Sequence, residues 1–152
     1  SIESVNVIVA MYNDEALGDV QVDPCKGTVA FGSGLHQWAF TLKRFAKTYG
    51  SKFGVTEEKM MTKLWGDWFF DPAKNVWTTN STAGLERAFC QFIATPITTL
   101  FDAIMNEKHG KVKKMLKAIG VELKGDEKEL VGKQLLKRVM QSGFLPEIPF
   151  LR

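Results

Sequence analysis

Gly27-Thr28-Val29-Ala30-Phe31-Gly32-Ser33-Gly34-Leu35-His36 is the stretch from which the rest of the chain is organised. Val29 and Phe31 alternate with smaller residues, the period-2 pattern of a short buried strand. Gly32 and Gly34 permit positive φ and bracket a single hydroxyl, Ser33. A turn of this composition offers backbone N–H groups to a ligand. The same residues also suit a plain connection between a strand and a helix, and Gly-x-Gly alone does not separate the two.

Outward from that stretch, the composition is that of a globular domain. A chain of 152 residues with 45% hydrophobic and 24% charged residues has the size of one domain and buries roughly 68–70% of its unfolded surface. No apolar run approaches the ~20 residues of a membrane span, and the N-terminus lacks the basic-then-apolar layout of a signal peptide, so a cytoplasmic location is expected. Cys25 and Cys90 are too few for a disulfide framework and lack metal-ligand spacing, which leaves reduced thiols. The net charge of +3 tolerates RNA or an acidic protein as partner without demanding either.

Ile2, Val5, Ile8, Val9 and Tyr12 fall at helical spacing, while Val5, Val7 and Val9 also alternate as a strand would. Pro24 holds Asp23 out of the helical region. After the glycine turn, Thr41 is placed to cap a helix with Leu42, Phe45, Ala46, Tyr49 and Phe53 on one face, ending at Gly54. A second helix is expected from Glu57 to about Trp65. Residues 68–70 and 76–78 flank the turn-rich Asp71-Pro72-Ala73-Lys74-Asn75 and predict a hairpin, with residues 85–93 as a third strand beside it. Thr95-Pro96 reads as a cap and first-turn proline at the head of a helix with Ile97, Leu100, Phe101, Ile104 and Met105 on one face, ended by Asn106 to Gly110. Val112, Met115, Leu116 and Ile119 mark a short basic helix stopped by Gly120, Lys124-Gly125-Asp126 a loop and cap, and Leu130 to Met140 one or two closing helices. Gly143, Pro146 and Pro149 are expected to end regular structure.

Gly27 to His36, continued by Trp38-Ala39-Phe40-Thr41, resembles the segment that carries the last guanine-recognition motif in the elongation factor 2 family of translational GTPases. Phe45-Ala46-Lys47, Lys52-Phe53-Gly54-Val55, Lys59-Met60-Met61, Leu64-Trp65-Gly66-Asp67, Leu85-Glu86-Arg87-Ala88-Phe89, Ala103-Ile104-Met105-Asn106 and Leu123-Lys124-Gly125-Asp126-Glu127-Lys128 are similar to that family in the same order. The resemblance implies that residues 1–35 are the end of a GTPase domain, beginning after its Asn-Lys-x-Asp motif with a helix. Residues 36–145 would be the insertion called the G-prime subdomain. Residues 146–152 form a tail that departs from the family. Two further departures are Gln37, where a glycine is usual, and a shorter stretch from Asn80 to Gly84. The expected fold is α/β or α+β, a small sheet with packed helices: an incomplete P-loop GTPase domain joined to the G-prime subdomain.

The chemistry of GTP hydrolysis needs a glycine loop with Lys and Ser/Thr, an Asp to organise Mg²⁺ and an Asn-Lys-x-Asp element. None occurs here: Gly110-Lys111 and Gly132-Lys133 are followed by Val112 and Gln134 and lack the earlier glycine. The resemblance therefore implies GTP or GDP with Mg²⁺ for a whole parent protein, and no catalysis or bound nucleotide for this stretch alone. Ser33, Gly34 and Leu35 match the family's base-recognition loop and are the expected nucleotide-site residues. His36 reads as structural in the absence of a carboxylate or Cys pattern, Trp38, Trp65, Trp68 and Trp77 as packing, and Asp67, Asp71 and Glu86 as scattered carboxylates with no partner to tune them.

Lys108, His109, Lys111, Lys113, Lys114 and Lys117 form the densest basic cluster. It suits a solvated helix face. Through the resemblance it also suits a docking face, Lys111, Lys113, Lys114 and Lys117, for a ribosome, its acidic stalk proteins or rRNA. The chain is expected to be monomeric, with no membrane partner. Two other readings are the spliceosomal GTPase related to elongation factor 2, with a small nuclear ribonucleoprotein as partner, and a non-catalytic protein or RNA adaptor.

Overall fold

The computed structural model describes residues 1–12, 18, 20–81, 84–119 and 121–144, with side chains as far as residue 142. The tail at 146–152, Pro146, Pro149 and the proposed helix stop at Gly120 lie outside the described residues. Elements follow in the order α1 (Ile2–Met11), β1 (Ala30–Ser33), β2 (Trp38–Thr41), α2 (Leu42–Phe53), α3 (Glu57–Leu64), β3 (Phe69–Asp71), β4 (Val76–Thr78), α4 (Thr95–Met105), α5 (His109–Ala118) and α6 (Gly132–Phe144). The fold is mixed α and β, in the α+β form: both sheets are two-stranded and antiparallel. Among the described residues no helix is long and apolar enough to cross a membrane.

The core is helical. Leu42 and Ala46 of α2, Met60 and Leu64 of α3, Leu100, Ala103 and Ile104 of α4, Val112 and Leu116 of α5, and Leu136, Val139 and Met140 of α6 are buried together, with Phe40 of β2 among them. These positions recur every three or four residues, the stripe that each helix must remove from water. A second aromatic layer, Phe53, Phe70, Trp77 and Phe92, joins the β3–β4 hairpin to α2 through ring centroids 5.0–5.8 Å apart.

The opening stretch folds differently from its expectation. Its glycine turn connects two antiparallel strands, not a strand to a helix: Ala30 pairs with Thr41, Phe31 with Phe40, Gly32 with Ala39 and Ser33 with Trp38. The strand is only half-buried, with Ala30 and Gly32 facing solvent. Neither Gly32 nor Gly34 takes a positive φ; Gln37 does, at 55°. Gly32 is needed for space instead, because a Cβ there would lie 2.6 Å from the Trp38 carbonyl oxygen and 2.9 Å from Ala39 Cβ. Thr41 does precede α2 in an extended conformation, yet its side chain makes no capping hydrogen bond, and Gly54 closes the helix at φ 66°.

The third strand expected at 85–93 is not formed. Arg87 alone bridges to Phe69, and Ala88 N–H donates to the Trp68 carbonyl at 2.7 Å. The chain then turns helical, through a π-helical segment at Cys90–Ala94 that runs straight into α4. Thr95, expected as a cap, is therefore inside a continuous helical run, at φ −62° and ψ −45°. Leu85, Phe89, Phe92, Ile93 and Ile97 already recur at helical spacing; their β-branched and aromatic character gave the strand reading. Pro96 explains the wide turn. It has no N–H to give the Phe92 carbonyl and would crowd it in a regular helix, and the Tyr49 hydroxyl donates to that carbonyl at 3.1 Å. Gly143, expected to end α6, lies within it.

Candidate functional site

Two places hold the residues singled out by the sequence. The first is the turn at 34–37. Ser33 ends β1, and its Oγ lies 3.0 Å from His36 Nδ1 and accepts the His36 backbone N–H at 3.3 Å. The Gly34 carbonyl accepts the Gln37 N–H at 3.3 Å, closing the turn. Leu35, at its tip, is 87% exposed. His36 packs edge-on against Phe101 of α4 at 5.1 Å, so the imidazole anchors the turn to the helical core. Beside the turn, Gly32, Ser33, Gly34, Gln37, Trp38 and Gln141 line an open cleft of about 430 Å³. Ser33 and Gly34 thus share a cleft wall, and Leu35 stands out into solvent. Gln141, on α6, is a wall that sequence reasoning missed, because it comes from about a hundred residues away and carries no local signal.

The second place is α5. Val112 and Leu116 are buried, while Lys111, Lys113, Lys114 and Lys117 are all exposed on the rest of the helix surface. The helical period dictates this arrangement, since residues 112 and 116 are one turn apart and the lysines fall on the remaining arc. Lys108 is drawn away from the group: its Nζ is 2.8 Å from an Asp102 oxygen. That hydrogen bond, then the lysine's charge, the Asn106 amide and Lys111 hold the Asp102 carboxyl below its ordinary range. Lys113 and Lys117 also rim a cleft of about 640 Å³ whose floor is Leu116, Val121 and Leu123 and whose far side carries Lys128 and Glu122. Lys128 belongs to a 3₁₀ turn, Gly125–Glu129, fixed by an Arg138 Nε to Glu127 hydrogen bond of 2.6 Å. Arg138, the Lys124 N–H and their charges hold Glu127 below the usual carboxylate range.

The scattered carboxylates have local structural work. Asp71 accepts the Ala73 and Lys74 N–H groups at 2.9 and 3.3 Å across the β3–β4 turn, Asp67 pairs with Arg87 at 2.8 Å, and Glu86 accepts the Thr95 hydroxyl at 3.4 Å. Among the described residues no group of three or more His, Cys, Asp or Glu gathers as a metal site would require. No protein-family model matches the chain.

Proposed function

We propose that this chain is part of a translational GTPase of the elongation factor 2 family, in which it supplies one wall of the guanine pocket and an adjoining ribosome-docking subdomain. The family reading rests on the ordered run of similar motifs from Gly27 to Lys128. The observation that carries it in three dimensions is the turn at 34–37. Ser33 and Gly34 line an open cleft, and Leu35 is displayed without packing of its own, as one wall of a pocket would be. The whole protein would bind GTP or GDP with Mg²⁺ and couple hydrolysis to movement of tRNA and mRNA in the cytoplasm. The stretch described here would dock and couple, through Lys111, Lys113, Lys114 and Lys117 facing acidic stalk proteins or rRNA.

Support for a larger body also comes from α1. Its Val5, Val7, Ile8 and Met11, with Tyr12 just after it, are 46–79% exposed and none of its residues is buried, whereas a helix apolar on all sides is normally enclosed. The test is the transcript on either side of this stretch together with calorimetry. A P-loop and an Asn-Lys-x-Asp motif upstream, with no heat of GDP binding to the 152-residue chain and nucleotide binding by the longer product, is the expected result. Flanks without those motifs overturn the GTPase reading and leave the adaptor.

A further inference from the structure

We propose that Lys63 is an Nε-methylation site whose modified side chain is held by an aromatic cage built into the same fold. Lys63 lies in the last turn of α3, and its Nζ is 5.7 Å from the ring centroid of Trp68 and 5.0 Å from that of Trp77. Both indoles are half-exposed, so the cage opens to solvent, and Lys63 itself is half-buried between them. Trp77 is held from behind: it stacks on Phe92 at 5.5 Å and meets Phe70 at 5.0 Å and Phe53 at 5.5 Å. The nearest carboxylate in sequence, Asp67, is committed to Arg87 at 2.8 Å, and Lys63 takes part in none of the described ion pairs.

This environment suits an alkylated ammonium better than a primary one. A –NH₃⁺ group carries three N–H donors and is strongly hydrated, and two indole faces give those donors only the ring quadrupole. Each methyl group replaces a donor that needs an acceptor with an apolar surface that carries part of the charge, which is what an aromatic cage recognises. The charge survives methylation, so the link between α3 and the β3–β4 hairpin is kept and tightened. In the modifying step the neutral ε-amine attacks the methyl carbon of a sulfonium methyl donor bound to a separate methyltransferase. The N–C bond forms as the C–S bond breaks, the thioether leaves with the electron pair, and the amine proton passes to solvent.

Two measurements test the proposal. Reductive methylation of the full chain with ¹³C-formaldehyde converts its lysines to dimethylammonium groups, and K63R identifies the Lys63 signal by deleting it. The expected signal is displaced upfield of the other lysines by the two indole ring currents and returns towards them in W68L, with the far-UV spectrum of that variant unchanged. A Lys63 signal lying among those of the exposed lysines in the unsubstituted chain overturns the cage. Mass spectrometry of the peptide carrying Lys63, from protein isolated from its native cells, is expected to show one to three added methyl groups; an unmodified Lys63 there overturns the site.

Discussion

Gln37 holds the turn of the first hairpin in the left-handed region, φ 55°, where a side chain is strained and glycine is not. The family that the sequence resembles usually has a glycine at this position, and a positive φ is a conformation that glycine suits. Q37G should raise stability by about 0.5–1 kcal/mol, the relief of left-handed strain less the extra chain entropy of glycine, seen as a higher midpoint in urea. Cys25 is a second residue whose surroundings set its behaviour. Burial, then the Asp23 charge and hydrogen bond, push its thiol up to about 11 from 9.0, so at pH 8 its thiolate population is down about a hundredfold. Cys90 is exposed and should react with a thiol reagent first, with Cys25 lagging in a distinct slow phase. Because the folded state holds Cys25 protonated, its contribution to stability is intact below pH 9 and is lost as pH rises from about 9 towards 11.

At the scale of elements, the π-helical segment before Pro96 meets α2 through the rings of Tyr49 and Phe53 on Phe92 and through one hydroxyl. Burial raises the pKa of Tyr49, and its hydroxyl serves the Phe92 carbonyl that proline cannot. Y49F should cost about 0.5–1.5 kcal/mol by removing that hydrogen bond. In a P96A background the restored N–H can take over, so Y49F should cost less there, and denaturant unfolding of the four proteins in the cycle measures the difference. This contact is the kind the sequence does not display. Helices α2 to α6 and the β3–β4 hairpin were legible because their stripes and turn residues are local, and so were the four exposed lysines of α5. Residues 85–93 were not, since an aromatic run satisfies both periods and only the loss of strand partners after Arg87 decides between them. Nor was the partner strand of β1: Trp38-Ala39-Phe40-Thr41 is too short to show a period, and its pairing depends on the turn at Gln37. The wall formed by Gln141 and the cage around Lys63 are long-range meetings with no signature in either segment.

For the whole molecule, the basic face of α5 stands apart from the buried core, so its charge can be reversed with little effect on folding. K113E/K114E/K117E should change stability by no more than about 0.5 kcal/mol per site while weakening ribosome co-sedimentation, most strongly at low salt where the Debye length is longest. Equal binding of the two proteins at low salt would rule out the docking role proposed for this face. Helix α1 has the opposite character, apolar and exposed. Helix α1 is tied to the chain by Asn6, whose amide donates to the Val22 carbonyl and accepts the Val22 N–H, both at 2.8 Å. Ten residues are fewer than the ~12–15 an isolated helix needs to be stable in water, so the amide hydrogens of α1 should exchange with solvent almost as fast as those of a coil, while those of α4 and α6 persist. An apolar surface laid over Val5, Ile8 and Tyr12 would slow that exchange at once, which makes the deuterium uptake of this one helix a gauge of whether the protein is alone or assembled.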